Sequence, residues 1–292
     1  MSAPAVTILS DLECHLGEGP TYDPVTDRLF WFDIREKKLL EKAMPDGSVI
    51  VHALPEMTSA LAVIDDDRQL LVTETGLHVR DIRSGAITPH RAIEADNPVT
   101  RSNDCRVHPS GAFWIGTMGK QAEKQAGAIY WYFRGELRTL FAGITIPNSI
   151  CFSPDGAIAY FTDTDLNLLM RVDCDPLSGL PAGEPTIFYD QRGGPGGLDG
   201  SVVDADGVLW NARWGAASLD AYAPDGKRIR SIPMPARQTT CPVFVGPDAD
   251  RIAVTSAWQG MDAGARARDP HAGKTFLVEM PVNGRFDPRV AI

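Results

Sequence analysis

Asn148-Ser-Ile-Cys-Phe-Ser-Pro154 passes through the turn Ser153-Pro-Asp-Gly156 into a second apolar run, Ile158-Ala-Tyr-Phe-Thr162. An oxygen-bearing opener, a short apolar stretch, a tight turn and an aromatic, β-branched stretch together read as two strands joined by a hairpin. The same phrase recurs in phase at Glu18-Gly-Pro-Thr-Tyr-Asp-Pro24, Ser59-Ala-Leu-Ala-Val-Ile-Asp65, Asn103-Asp-Cys-Arg-Val-His-Pro109, Asp199-Gly-Ser-Val-Val-Asp-Ala205 and Cys241-Pro-Val-Phe-Val-Gly-Pro247. A repeat of roughly 40 to 50 residues built from short strands signals a propeller.

Each phrase has its own turn and second strand. Asp23-Pro-Val-Thr-Asp27 leads to Leu29-Phe-Trp-Phe32, His108-Pro-Ser-Gly111 to Ala112-Phe-Trp-Ile115, and Asp204-Ala-Asp-Gly207 to Val208-Leu-Trp-Asn211. Gly76–Arg80 and Gly127–Phe133 supply third strands, and Leu137–Phe141 and Thr186–Phe188 supply fourths. Apolar residues at helical spacing are absent, so little helix is expected. The reading is an all-β, six-bladed propeller of four-stranded antiparallel blades, one domain over residues 1–292. Ala5–Leu9 and Thr275–Val278, from the two ends of the chain, would close the ring. The loops Arg192–Gly197 and Gly260–Gly264 would sit at the rim of a site.

Bulk properties narrow the function. The 292 residues are 43% hydrophobic and 23% charged, with a formal net charge of -10 and a pI near 5.1. An acidic chain without a basic patch argues against nucleic acid and against anionic membranes as partners. Met1–Asp11 shows no basic region followed by an apolar core, and no apolar run approaches the roughly 20 residues of a membrane span. The five cysteines, Cys14, Cys105, Cys151, Cys174 and Cys241, are widely spaced and odd in number. They read as buried thiols of a cytoplasmic chain. No Gly-x-Ser-x-Gly elbow, His-Glu-x-x-His pair or phosphate loop is present, and the six histidines show no ligand spacing.

The openers carry the chemistry. If each phrase begins an innermost strand, Glu18, Ser59, Asn103, Asn148, Asp199 and Cys241 face the central channel at about one depth. Singly, each has a bland reading: Glu18 a channel-mouth charge, Asn148 a turn residue after Pro147, Asp199 a loop cap. Their recurrence in phase is what argues for convergence. Two acids in a narrow channel repel, and a hard cation with oxygen ligands resolves the repulsion. One divalent ion is therefore expected, calcium before zinc, manganese or magnesium. Arg101-Ser-Asn103-Asp104 adds a planar fork of donors and an amide beside that ion, suited to an oxygen-rich ligand. Asp33 and Asp163, which end second strands, are expected to bond neighbouring backbone instead.

In their order, Gly17-Glu18-Gly19-Pro20, Arg101-Ser-Asn103-Asp104, Ile146-Pro-Asn148-Ser149 and Leu198-Asp199-Gly200 resemble the regucalcin and gluconolactonase family, over nearly the whole chain from Cys14 to Trp258. The resemblance implies a six-bladed propeller with one metal at its centre, held by Glu18, Asn148 and Asp199. It implies substrate binding by Arg101 and Asn103, and hydrolysis of a sugar lactone to an aldonic acid. Animal-type members carry acidic residues after Gly-Thr-Met, where this chain has Gly119-Lys120-Gln121, so Lys120 would take the place of an acidic contact to the sugar. In the expected mechanism the cation stabilises the developing oxyanion and Asp199 serves as general base toward water. The alternatives are a non-catalytic calcium-binding propeller and a metal-dependent esterase or phosphotriesterase.

Overall fold

The structure, a computed structural model, describes residues 4–292; Met1–Ala3, part of the segment read for a leader and of the expected 1–292 unit, lie outside the described residues. Six four-stranded antiparallel sheets stand around a common axis. Their inner strands are Gly17–Asp23, Thr58–Val63, Thr100–Val107, Pro147–Phe152, Gly197–Val203 and Thr239–Val245. Each inner strand lies against the next, and the last lies against the first. The chain is a six-bladed β-propeller, as the repeated phrase predicts. The sixth blade holds Ala5–Ser10 beside Thr275–Glu279, so both ends of the chain close the ring.

Local chemistry explains why each phrase folds this way. The turn acids tie down their own hairpins: Asp204 Oδ1 accepts the Asp206 and Val208 N–H groups at 3.0 and 2.9 Å, and Oδ2 accepts Trp210 Nε1 at 2.9 Å. Second strands such as Arg28–Asp33 place Leu29, Phe30, Trp31 and Phe32 out of water. Their alternate side chains fill the seams on both sides, so these strands read as continuous apolar runs. Outer strands such as Glu136–Ile144 hold only partly exposed and exposed positions. The expected long loop after Gly260 instead contains a short helix, Ala263–Arg268, capped by Asp262 accepting the Ala265 N–H at 2.7 Å. Six residues are too few for a sequence period to reveal.

At the openers the ladders break. In all six blades the register between the inner and second strands shifts across the opener: Glu18/Thr21, Thr58/Ala60, Ser102/Cys105, Asn148/Cys151, Leu198/Ser201 and Thr239/Pro242. A bulge re-aims the side chains beside it. The freed backbone and small hydroxyls bond across the seams instead. Thr21 Oγ1 donates to Leu61 O, Ser59 Oγ to Ser102 Oγ, Asn103 Nδ2 to Pro147 O and Ser149 Oγ to Asp199 O. Thr239 Oγ1 accepts the Arg213 N–H, and Thr240 Oγ1 donates to Gly17 O. This belt crosses all six seams.

Candidate active site

Above the belt lies a cavity of about 320 Å³ lined by Glu18, Arg101, Asn103, Lys120, Asn148 and Asp199, a volume suited to a small ligand. These six residues, the site candidates read from the sequence, are brought to this one place, whereas the openers Ser59 and Cys241, expected to face the channel at the same depth, are buried and do not line the cavity. The separate expectation for Asp33 and Asp163 also holds. Asp33 accepts the His15 and Leu16 N–H groups, and Asp163 those of Thr145 and Ile146.

A chain of hydrogen bonds fixes the polar floor. Arg101 Nη1 donates to Ser102 O at 2.7 Å and to Asn103 Oδ1 at 2.9 Å. Asn103 Nδ2 donates to Asn148 Oδ1 at 3.0 Å, and Asn148 Nδ2 donates to Thr164 Oγ1 at 2.9 Å. Thr164 Oγ1 in turn donates to Leu198 O at 2.7 Å. Each amide is thereby oriented, and Asn148 Oδ1 keeps one lone pair beyond the Asn103 bond.

The carboxylates have no comparable support. Glu18 Oε2 accepts only the adjacent Gly19 N–H at 3.1 Å, and neither Glu18 nor Asp199 forms an ion pair among the described residues. Burial, then the Asp104 charge, pushes Glu18 up to about 8 against the pull of the Gly19 N–H, Arg101 and Arg106. Burial, then Glu18, holds Asp199 well above the usual carboxylate range. Asp104, 8% exposed, accepts the Ile150 N–H at 2.7 Å, and burial raises it to about 6. Uncompensated buried acids of one sign are costly. Two such carboxylates with an aimed amide oxygen make a donor set that fits a hard divalent cation. Among the described residues no group of three or more His, Cys, Asp and Glu converges, so a cation here needs the mixed carboxylate–amide set.

Of an upper ring the sequence reading named only Lys120. Arg35, Lys120, Thr164, Trp214 and Gln259 also face the cavity, and Glu74 reaches the same rim by pairing with Lys120 Nζ at 2.5 Å. Burial works against the Glu74 charge, but Lys120 and the Met57 N–H outweigh it and keep Glu74 ionised below its ordinary range. Arg35 Nε donates to Gln259 Oε1 at 3.0 Å and Nη2 to Lys120 O at 2.8 Å, bridging blades one, three and six. All six residues lie at, or one to three positions past, the ends of second strands. That second phase of the repeat was the available signal. The glycine-rich loop Arg192–Gly197 does not line this cavity. It folds onto blade five, where Pro195 O accepts Arg213 Nη2 at 2.6 Å. The rim is instead reached by Gln259, next to the Gly260 loop.

Comparison with known proteins adds to this geometry. The family model described as the SMP-30/Gluconolactonase/LRE-like region matches residues 16–258. A Rhizobium meliloti chain provisionally named a sugar lactone lactonase is 54% identical over 96% of this chain and 95% of its own. The L-arabinolactonase of Azospirillum brasilense is 37% identical over 98% and 95%. The crystal structure of a calcium-binding protein, regucalcin, from Agrobacterium tumefaciens superposes with a TM-score of 0.98 at 49% identity, covering 99% of this chain and 98% of that one.

Proposed function

We propose, from the premise that this chain belongs to the SMP-30/Gluconolactonase/LRE-like family, that it hydrolyses a sugar lactone to the open-chain acid with a divalent cation held at the hub. The observation that carries this reading is a pair of carboxylates without ion-pair partners among the described residues, the partly exposed Glu18 and the buried Asp199, sharing a ligand-sized cavity with Asn148 Oδ1 and the Arg101 guanidinium. The lactonase names of the two relatives support the reaction. The calcium-binding description of the structural neighbour supports calcium as the ion.

Glu18, Asn148 and Asp199 would hold the cation. When bound, it supplies positive charge to the ester carbonyl oxygen as the tetrahedral oxyanion develops. The protein's own groups do the rest. Asp199, through the carboxylate oxygen not committed to the ion, takes the proton of the attacking water. Arg101 and Asn103 bind the substrate, and Lys120 reaches the same ligand from the rim. Their bonds set the ester against the water and remove much of the entropic cost of the encounter. The belt below the cavity holds these groups on strands, where position is well defined.

The reading is tested by chelating the protein, assaying a panel of aldonolactones by acid release, and adding metal back. Activity should vanish and return, and Asp199→Asn in the metal-replete protein should lose about 10²-fold or more in kcat. Full turnover by verified metal-free protein rejects the metal role. A metal-replete protein that opens no lactone favours instead a propeller that only binds calcium, the reading the neighbour's description also admits.

A further inference from the structure

Two guanidiniums face the cavity without an acid of their own. Arg101 is 3% exposed, its Nη1 is spent on two neutral oxygens, and its Nε is buried with no partner. Arg35 bonds two neutral acceptors, Gln259 Oε1 and Lys120 O. Neither arginine is in an ion pair among the described residues, whereas Lys120, the third cation of the rim, is balanced by Glu74. The acids that remain nearby, Glu18 and Asp199, are the ones assigned to the cation above. After burial, the Arg35 charge is the next influence lowering Arg101, to about 10. The two carboxylates call for a cation; the buried Arg101 and the partly exposed Arg35, which face the same cavity, call for an anion. This part of the cavity offers donors, in the planar forks that match a carboxylate. A neutral polyol would offer these two forks no charge of its own.

We propose that the preferred substrate is a lactone bearing a carboxylate at the end remote from the ester, the monolactone of an aldaric acid, with that carboxylate seated between Arg35 and Arg101. The assignment rests on the lactonase reading and sharpens it. Lys120 and Gln121, which stand where animal-type members of the resembled family carry acidic residues, are then in keeping with the ligand: an acid at that position would repel it.

The test uses metal-replete protein and pairs of lactones that differ only at C6: D-glucono-1,4-lactone against D-glucaro-1,4-lactone, and D-galactono-1,4-lactone against D-galactaro-1,4-lactone. A charge-assisted contact predicts a kcat/KM about tenfold or more higher for the acid member of a pair. Arg35→Met should bring that ratio close to unity. Equal or faster turnover of the neutral member in both pairs overturns the proposal, as does a ratio that Arg35→Met leaves intact. 6-Phospho-D-gluconolactone outrunning the carboxylate lactones overturns the choice of carboxylate. If Arg35→Met does not fold, calorimetry on the unaltered protein decides. D-glucarate should bind about tenfold or more tighter than D-gluconate, and equal affinities sink the idea. Turnover of neither member of any pair overturns the lactonase reading itself, an outcome distinct from hydrolysis of the neutral members alone.

Discussion

At the scale of single residues, the sequence exposed what the repeat's first phase carries and hid what its second phase carries. Glu18, Asn148 and Asp199 were legible because each opens a phrase whose apolar run fixes which way the opener points. Arg35, Glu74 and Gln259 sit in loops, where no alternation marks a direction and a charged residue is most often a solvated one. His108 was read as a turn residue, and it is one, but fully buried. Gly156 O can only accept, so His108 Nε2 carries the proton toward it at 2.9 Å; the Ser110 N–H can only donate, so Nδ1 accepts it at 3.0 Å. Both nitrogens are committed in the neutral ring. Burial lowers its pKa, aided by Arg285 and opposed by the Gly156 bond. The unfolded chain, with an ordinary value of about 6.5, then takes up the proton first as pH falls. His108 therefore contributes stability that is complete above that value and is lost as pH drops through the folded one. Urea unfolding at pH 7.5 and 5.5 should show a larger loss in the native protein than in His108→Gln. Identical losses would remove His108 as the source.

At the scale of elements, several third and fourth strands, such as Lys38–Ala43 and Arg228–Pro233, went unnamed, but the inner and second strands were recognised because apolar runs and turn chemistry agree. The bulges were not, since a one-residue slip leaves no compositional mark unless glycine announces it. Gly19 does so. Its φ is +56°, and a Cβ there would stand 2.0 Å from Ser59 O of the next blade. Gly200 does so by contact, a Cβ there meeting Cys241 Sγ at 2.4 Å. Close approach of inner strands is thus what glycine supplies beside Glu18 and Asp199. Gly19→Ala combines left-handed strain with a clash against backbone and should cost about 3 kcal/mol in denaturant unfolding. Cation affinity should weaken with it, as Glu18 is carried on the same bulge. Near-native stability would mean that the seam opens freely and does not fix the site.

At the scale of the whole molecule, the ring is fastened twice. Strand closure in blade six was visible from the apolar runs at both ends of the chain. The tail after Glu279 was not, because it carries no periodic pattern. It crosses the face away from the cavity: Arg285 donates to Val203 O and Phe152 O, Val290 N to Val63 O and Ala291 N to Gly111 O. Its Asp287 pairs at 2.8 Å with Arg106, an inner-strand arginine 6% exposed beneath the hub. Asp287→Ala leaves that guanidinium buried without its acid and should cost about 3 kcal/mol. Arg289→Ala, which removes an exposed pair with Asp66, should cost under about 1 kcal/mol. Equal costs in urea unfolding would show that the tail is held by its backbone bonds rather than by the buried charge.

The account turns on one ion gathered by residues from blades one, four and five. Anomalous diffraction from crystals soaked in manganese addresses it without reference to any substrate. A single peak at the hub, within about 2.0–2.6 Å of carboxylate oxygens of Glu18 and Asp199 and of Asn148 Oδ1, is the expected result. A hub with no peak at saturating metal, or a peak bound elsewhere on the chain, would contradict it.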